Sequence, residues 1–176
     1  TAHAFFQQLR ARSPVPLLDM VAATLERVFV GAGARAGVGP RRVGLLATTG
    51  ALRARVFHSR AVRWPALELI SPLDLMDGDA LQEALVMTPI YGPLHEGRRG
   101  GGGLKSGVRG EVVAAPLREA ARRLIDAGAT ALICGCTEIP LVLKGEAFAG
   151  AALVDPLAVA AELALAIACG EAPLPA

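Results

Sequence analysis

Residues 131–138 have the sequence ALICGCTE, in which a short apolar run ends in a glycine, a thiol and a hydroxyl. A continuous apolar run of this length is typical of a strand that is buried on both faces of a parallel sheet. Residues 43–50, with the sequence VGLLATTG, have the same organisation. Two buried strands that each end in a polar turn predict a layered α/β fold with a parallel sheet flanked by helices.

The rest of the chain continues this alternation of strands and helices. Further strands are predicted at residues 67–70 and 153–154. Asp155 and Pro156 have the residue types of a helix N-cap and first helical position, so a last helix is predicted there, with Gly170 after its end. The other helices are predicted from apolar residues at helical spacing; they cover residues 2–12, 17–30, 51–59, 79–87 and 111–127.

The segment from residue 95 to 110 is rich in glycine and arginine and contains four consecutive glycines at positions 100–103. Such a composition favours a mobile surface loop. The alternative is a phosphate-binding loop, but the required spacing of glycines before a Lys-Ser or Lys-Thr pair is absent, and Lys105-Ser106 is followed by Gly107. We therefore predict a surface loop.

Composition and charge exclude several classes of protein. Apolar residues make up 53% of the 176 positions and charged residues 19%, a balance that favours a folded core over disorder. The net charge of +2 is too small to indicate a nucleic-acid partner. No apolar run is long enough to span a bilayer. Three cysteines, an odd number, form no disulfide framework, and we predict a cytoplasmic protein.

The turns that follow the two apolar runs are the best candidates for a functional site. In open α/β sheets, ligands bind beyond the carboxyl ends of the strands, and a following helix N-terminus would lower the pKa of a thiol there. Cys136 occupies such a turn, although a small buried packing residue is the alternative. Cys134 and Cys169 are predicted to pack, and no cluster completes a four-ligand zinc site.

Residues 132–141, LICGCTEIPL, resemble the signature around the second catalytic cysteine of the aspartate/glutamate racemase family. The other landmarks of that family occur here in the same order. They are residues 1–5 (TAHAF), 14–19, 43–51, the Ile-Tyr pair at 90–91 with Gly97, and the Val-Asp-Pro at 154–156. The sequence departs from the family's pattern at Ala51, where a threonine is expected, and at His95, where some members have a lysine.

This resemblance implies a cofactor-independent amino-acid racemase that uses a pair of cysteines on opposite faces of the substrate's α-carbon. Cys136 would serve one face. The first cysteine would immediately precede Thr1, and the sequence does not contain it, so we expect this chain to carry half of the two-cysteine site. The substrate-binding residues implied are Thr1, Thr48, Thr137 and Glu138, and two further candidates are His3 and His95.

The resemblance also implies the domain organisation. The family fold consists of two Rossmann-like halves, so we expect one nearly complete half at 41–150 and an incomplete second half. Residues 1–40 would be the remnant of that other half, and a strand and helix within 151–176 would return to it. The helices near 17–30 and 157–168 would then have under-covered apolar faces. We expect a homodimer, because such apolar faces promote association and because the family resemblance also implies one.

Two alternatives to the racemase remain open. Relatives with a single cysteine decarboxylate malonate derivatives or isomerise maleate, and Cys136 alone would suffice for such a reaction. A non-catalytic paralogue that binds a carboxylate ligand is the other alternative. In each case the partner is a small amino acid or dicarboxylate, with no metal, no nucleic acid and no membrane.

Overall fold

The computed structural model describes residues 2–31 and 41–174, which form a mixed α/β fold around a five-stranded sheet. The strands of this sheet are β1 (Arg41–Leu46), β2 (Leu67–Ile70), β5 (Ala131–Cys134), β6 (Ala147–Phe148) and β7 (Ala151–Val154). Their order is β2-β1-β5-β7-β6, and all neighbours are parallel except the β6–β7 pair. A separate hairpin contains β3 (Leu94–His95) and β4 (Arg98–Arg99).

Helices cover both faces of the sheet. They are α1 (Phe6–Arg12), α2 (Met20–Gly31), α3 (Thr49–Arg53), α4 (His58–Ala61), α5 (Gly78–Gln82), α6 (Thr88–Tyr91), α7 (Glu111–Asp126) and α8 (Pro156–Ala168). A π-helical turn, Glu83–Met87, joins α5 to α6. The sequence-based prediction of a parallel sheet flanked by helices is therefore confirmed.

The side chains of the central strands alternate between two hydrophobic cores, as strand geometry requires. Val43 and Leu45 of β1 contact the core that contains α2 and α3. Leu46 of β1 and Leu132 of β5 contact the opposite core, which contains α7. Because both faces of β1 and β5 are covered, these strands have the continuous apolar sequences from which they were predicted.

The strands at 67–70 and 131–134 begin and end as predicted. Three predicted helices, at 2–12, 51–59 and 79–87, are divided into shorter ones. The helix expected at 51–59 is broken because Arg55 has a positive φ of 52°. The segment expected to be a surface loop contains the hairpin and a 3-10 helix, Leu104–Ser106, whose Leu104 is buried. Gly128 follows α7 with a φ of 95°, the left-handed conformation that ends helices.

The sheet continues across residue 150, where we placed a domain boundary. β7 pairs with β5 from Ala131↔Ala152 to Ile133↔Val154 and so belongs to the same sheet as β1. The strand that we assigned to the other half is thus part of this sheet. The division of the chain into one complete and one incomplete half stays a prediction.

The two helices that we expected to be under-covered differ from each other. α2 buries Val21, Leu25 and Val28, so its apolar face is covered. α8 packs beside α2, with Arg27 and Glu162 joined at 2.6 Å, yet Leu157 and Leu165 of α8 are exposed. Within the described part of the chain, no helix combines the length and the apolar character needed to cross a membrane.

Candidate active site

A small cleft with a cavity volume of about 60 Å³ lies at the carboxyl edge of the sheet. The segments that follow β1, β5 and β7 meet there because these three strands are parallel neighbours. Its lining residues come from these segments and from the first helices: His3, Met20, Val21, Ala51, Val56, Phe57, residues 134–137, Asp155, Pro156 and Leu157. This is where parallel α/β sheets bind ligands.

Cys136 is half-buried in this cleft, two residues beyond the end of β5. Its thiol donates a hydrogen bond to Glu138, with 2.8 Å between Sγ and Oε2. Glu138 also accepts from the Thr137 hydroxyl at 3.0 Å and from Lys105 Nζ at 2.9 Å. The carboxylate therefore ties the thiol, a hydroxyl and an ammonium group into one cluster.

The ionisation states in this cluster follow from burial and from those bonds. Burial raises the pKa of Cys136 to about 11, and the hydrogen bond to the Glu138 carboxylate acts in the same direction. Burial opposes the ionisation of Glu138, but the bonds from Cys136, Lys105 and Thr137 outweigh it and lower the pKa of Glu138 to about 2. At neutral pH the cluster therefore contains a protonated thiol, a carboxylate and an ammonium group.

The prediction that a helix N-terminus lowers the pKa of Cys136 is wrong. The chain after Cys136 forms a turn and then a single 3-10 turn, Ile139–Leu141, in place of the expected α-helix. Three residues of 3-10 helix supply little of the dipole that a long helix carries. Burial and the neighbouring carboxylate thus determine the state of the thiol.

His3 lies in the same cleft as Cys136. Its ring stacks on Phe6, with centroids 5.4 Å apart, and its Nε2 is 4.0 Å from Asp19 Oδ1. That nitrogen is buried and makes no hydrogen bond to any described residue. Burial lowers the pKa of His3, so the imidazole is neutral at neutral pH. The same burial makes this imidazole a weaker base than an exposed histidine.

The other predicted residues lie elsewhere. Thr48 is buried, and its hydroxyl accepts from the Ala51 amide as the N-cap of α3, outside the lining of the cleft. His95 is exposed in the β3–β4 hairpin, where it lies opposite Arg98 in the strand register. Thr1 lies outside the described residues. Substrate contacts by these three residues stay predictions.

Of the remaining cysteines, Cys134 packs in the core as predicted, whereas Cys169 does not. Cys134 is buried within β5, where burial raises its pKa to about 12, and Cys169 is exposed at the end of α8. Over residues 2–31 and 41–174, no group of three His, Cys, Asp or Glu side chains is arranged to hold a metal ion.

Lys105 and Asp19 are not among the site residues predicted from the sequence. Lys105 is 33 residues from its partner Glu138, within a segment that composition identified only as a loop. Asp19 accepts from the amides of Val21 and Ala22 at the start of α2 and pairs with Arg60 at 3.1 Å. An aspartate directly before an apolar-periodic helix is an N-cap signal, so Asp19 could have been found.

The class of protein follows from this fold and from a comparison with known families. The model of the Asp/Glu/hydantoin racemase family matches residues 1–164. The chain therefore belongs to the Asp/Glu/hydantoin racemase family.

Individual relatives are more distant. The chain is similar to an uncharacterised protein from the pnlA 3′ region of Pectobacterium carotovorum subsp. carotovorum, with 31% identity over 105 residues, or 60% of this chain and 57% of that protein. Its fold is similar to the crystal structure of a candidate Asp/Glu racemase from Yersinia pestis, with a TM-score of 0.73 and 23% identity. That match covers 95% of this chain but 62% of the other. The chain thus spans about six-tenths of the length of these relatives.

Proposed function

We propose that this chain carries one catalytic face of a cofactor-independent racemase of aspartate or glutamate type, with Cys136 as the acid and base of that face. The observation that supports this most directly is the position of Cys136 in the cleft beyond β5, where its Sγ donates a hydrogen bond to Glu138. Membership of the family supports the same reaction class.

The protonated state of Cys136 defines its part in the reaction. A base on the opposite face removes the α-proton and leaves the electron pair on the α-carbon. The Cys136 thiol then donates its proton to that carbon and becomes a thiolate. In the reverse direction the thiolate takes the α-proton and returns to the thiol. Two groups are needed because a single one does not reach both faces of the α-carbon.

The second group is part of the same proposal. The family resemblance puts a cysteine immediately before Thr1, which is next to the segment that carries His3. Because His3 lines the cleft with Cys136, that segment supplies one wall of the site. The Thr137 hydroxyl donates a hydrogen bond to Glu138 at 3.0 Å. These two residues are proposed to orient Cys136 and the substrate's polar groups.

The test is deuterium exchange at the α-carbon in D₂O, followed by NMR for each enantiomer of aspartate and glutamate and for a 5-substituted hydantoin. General acid–base catalysis contributes about 10²–10⁴-fold, so Cys136→Ser should reduce exchange by at least 100-fold. Cys169→Ser is the matched control, since Cys169 is exposed outside the cleft. Exchange that survives in Cys136→Ser, or that is absent from the folded wild type with every substrate, would contradict the proposal.

The pattern of exchange identifies the second group. Exchange of a single enantiomer without inversion would show that Cys136 acts alone in this chain. Exchange with inversion would require a second acid or base among these residues, and His3→Asn would be tested next because His3 lines the same cleft.

A decarboxylase with one cysteine is the second candidate, because a single protonated thiol such as that of Cys136 suffices for it. Loss of CO₂ from a disubstituted malonate leaves an electron pair on the central carbon, and a protonated thiol is the group needed to supply a hydrogen to it. Release of CO₂ from such a malonate, together with no exchange of amino acids, would favour this candidate over the racemase.

A further inference from the structure

Lys105 is the partner of Glu138 on the side away from the thiol. Its Nζ lies 2.9 Å from Glu138 Oε1, while Cys136 Sγ lies 2.8 Å from Oε2 of the same carboxylate. The Glu138 side chain is 15% exposed and that of Lys105 is 41% exposed. One carboxylate thus bridges a surface ammonium group and a thiol in the cleft.

The glycine-rich segment places Lys105 by packing closely against the end of α6. A Cβ on Gly103 would lie 2.5 Å from the Gly92 nitrogen and 2.6 Å from the Ile90 carbonyl, and a Cβ on Gly92 would lie 1.7 Å from the Gly101 oxygen. Only glycine fits at both positions because the atoms that it meets are backbone atoms. The absence of side chains at these two positions therefore allows the backbone of the segment to pack directly against the end of α6.

Further contacts hold the 3-10 helix that carries Lys105. The Ser106 hydroxyl accepts from the amides of Gly102 at 2.8 Å and Gly103 at 3.1 Å, and Leu104 is buried. The Lys105 ammonium also lies 5.4 Å from the centre of the Tyr91 ring. An ammonium group over an aromatic face is attracted to it, which restricts the flexible lysine side chain.

We propose that Lys105 is a positioning residue of the Cys136 site: its ammonium group lies against the Glu138 carboxylate and compensates the negative charge of the group that accepts the thiol hydrogen bond. The glycine-rich segment at 100–103 is then a part of the site's architecture. The importance of Lys105 for catalysis rests on the proposed function. Its effect on the reactivity of the Cys136 thiol does not, because that effect depends only on the Lys105–Glu138–Cys136 contacts.

The charges around Cys136 give Lys105 and Glu138 opposite effects. The hydrogen bond and negative charge of Glu138 raise the pKa of the Cys136 thiol, and the positive charge of Lys105 lowers it. Without Lys105 the thiol would face an uncompensated carboxylate, so its thiolate would form less readily. His3 and Asp155 also line the cleft, and they are the same in every variant below.

The test is the rate at which iodoacetamide labels Cys136 between pH 7 and 10.5, measured in the full chain by peptide mass spectrometry. Only the thiolate reacts, so the rate reports the thiolate fraction. Lys105→Met should slow labelling by about 3–10-fold at each pH, because a thiolate beside an uncompensated carboxylate forms less readily. Glu138→Gln should accelerate labelling, and Lys105→Arg should retain most of the wild-type rate.

Two controls separate this effect from a change of structure. Lys144→Met removes the same charge from an exposed position near Glu138 in sequence and should leave the labelling of Cys136 unchanged. Exposed Cys169 serves as an internal reference that should react alike in all variants. The inference is overturned if Lys105→Met labels like Lys144→Met, or if Lys105→Met and Glu138→Gln change the rate in the same direction.

The labelling experiment and the exchange experiment fail independently. Labelling needs no substrate, so a chain without racemase activity can still show the effect of Lys105 on the thiol. Conversely, exchange that depends on Cys136 would support the proposed function even if Lys105→Met leaves the labelling rate unchanged.

Discussion

The turns that follow β1 and β5 begin from neighbouring strands at the same edge of the sheet, yet their polar side chains do different things. After β1, the Thr48 hydroxyl accepts from a backbone amide and begins α3. After β5, the polar groups of Cys136 and Thr137 instead donate to the side chain of Glu138. A hydroxyl used as a helix cap is committed to the backbone, whereas groups that converge on a carboxylate remain available for chemistry.

The largest expected difference between the two turns is in how they contribute to the free energy of unfolding at acidic pH. The pKa of Glu138 is lowered from 4.5 to about 2 in the folded chain, so its ionisation stabilises the fold above pH 4.5, and this contribution is lost as the pH falls from about 4.5 to about 2. The side chain is 15% exposed, and the shift from 4.5 to about 2 corresponds to at most about 3 kcal/mol. Urea unfolding should show wild type losing its advantage over Glu138→Gln as the pH is lowered.

A matched control for that measurement is Glu162→Gln, which removes an exposed carboxylate of α8 that pairs with Arg27. The stability gap between wild type and Glu138→Gln should narrow through this pH range by more than the gap for Glu162→Gln. A gap for Glu138→Gln that stays constant from pH 7 to pH 3 would mean that the carboxylate is not held by Cys136, Lys105 and Thr137.

The glycines of the two turns should respond oppositely to alanine. A Cβ on Gly135 would lie 3.0 Å from Ala47 Cβ and 3.1 Å from the Leu46 oxygen, whereas a Cβ on Gly50 would meet nothing within 4 Å. Gly135→Ala should therefore cost about 1–3 kcal/mol through overpacking. Gly50→Ala should add up to about 1 kcal/mol because Gly50 lies in α3.

Chemical denaturation of both alanine variants measures this difference, with the fluorescence of Trp64 as the probe. Equal effects in the two variants would show that the turn after β5 is no more crowded than the turn after β1. A displaced Cys136 in Gly135→Ala should also change its labelling by iodoacetamide, while Gly50→Ala should not.

Sequence patterns predicted the parts of the molecule that depend on local chemistry. The bounds of β2 and β5, the Asp155 cap of α8 and the end of α7 at Gly128 all follow from apolar runs and capping residues that are close in sequence. The position of Cys136 at the edge of the sheet follows in the same way, because a parallel strand must end there.

The contacts that determine the state of the thiol could not be predicted in this way. The Lys105–Glu138 pair joins residues 33 positions apart, and it forms because glycines let one loop pack against the backbone of α6. Composition indicates flexibility for such a loop but does not reveal what it packs against. The raised pKa of Cys136 depends likewise on burial and on a carboxylate bond, and neither is visible in the residue types alone.

The smallest expected effect concerns the cap of α3. Thr48→Val keeps the shape of the side chain but removes the oxygen that accepts from the Ala51 amide at 3.4 Å. Loss of an N-cap costs about 1 kcal/mol, so the urea midpoint should fall modestly, and Thr48→Ser should recover most of the loss. Thr49→Val is the control because Thr49 is the first residue of the helix, where its side chain is not the cap. A destabilisation by Thr49→Val as large as that by Thr48→Val would show that the hydroxyl of Thr48 has no special role in beginning α3. The turn after β1 would then not differ from the turn after β5 in using its hydroxyl to cap a helix.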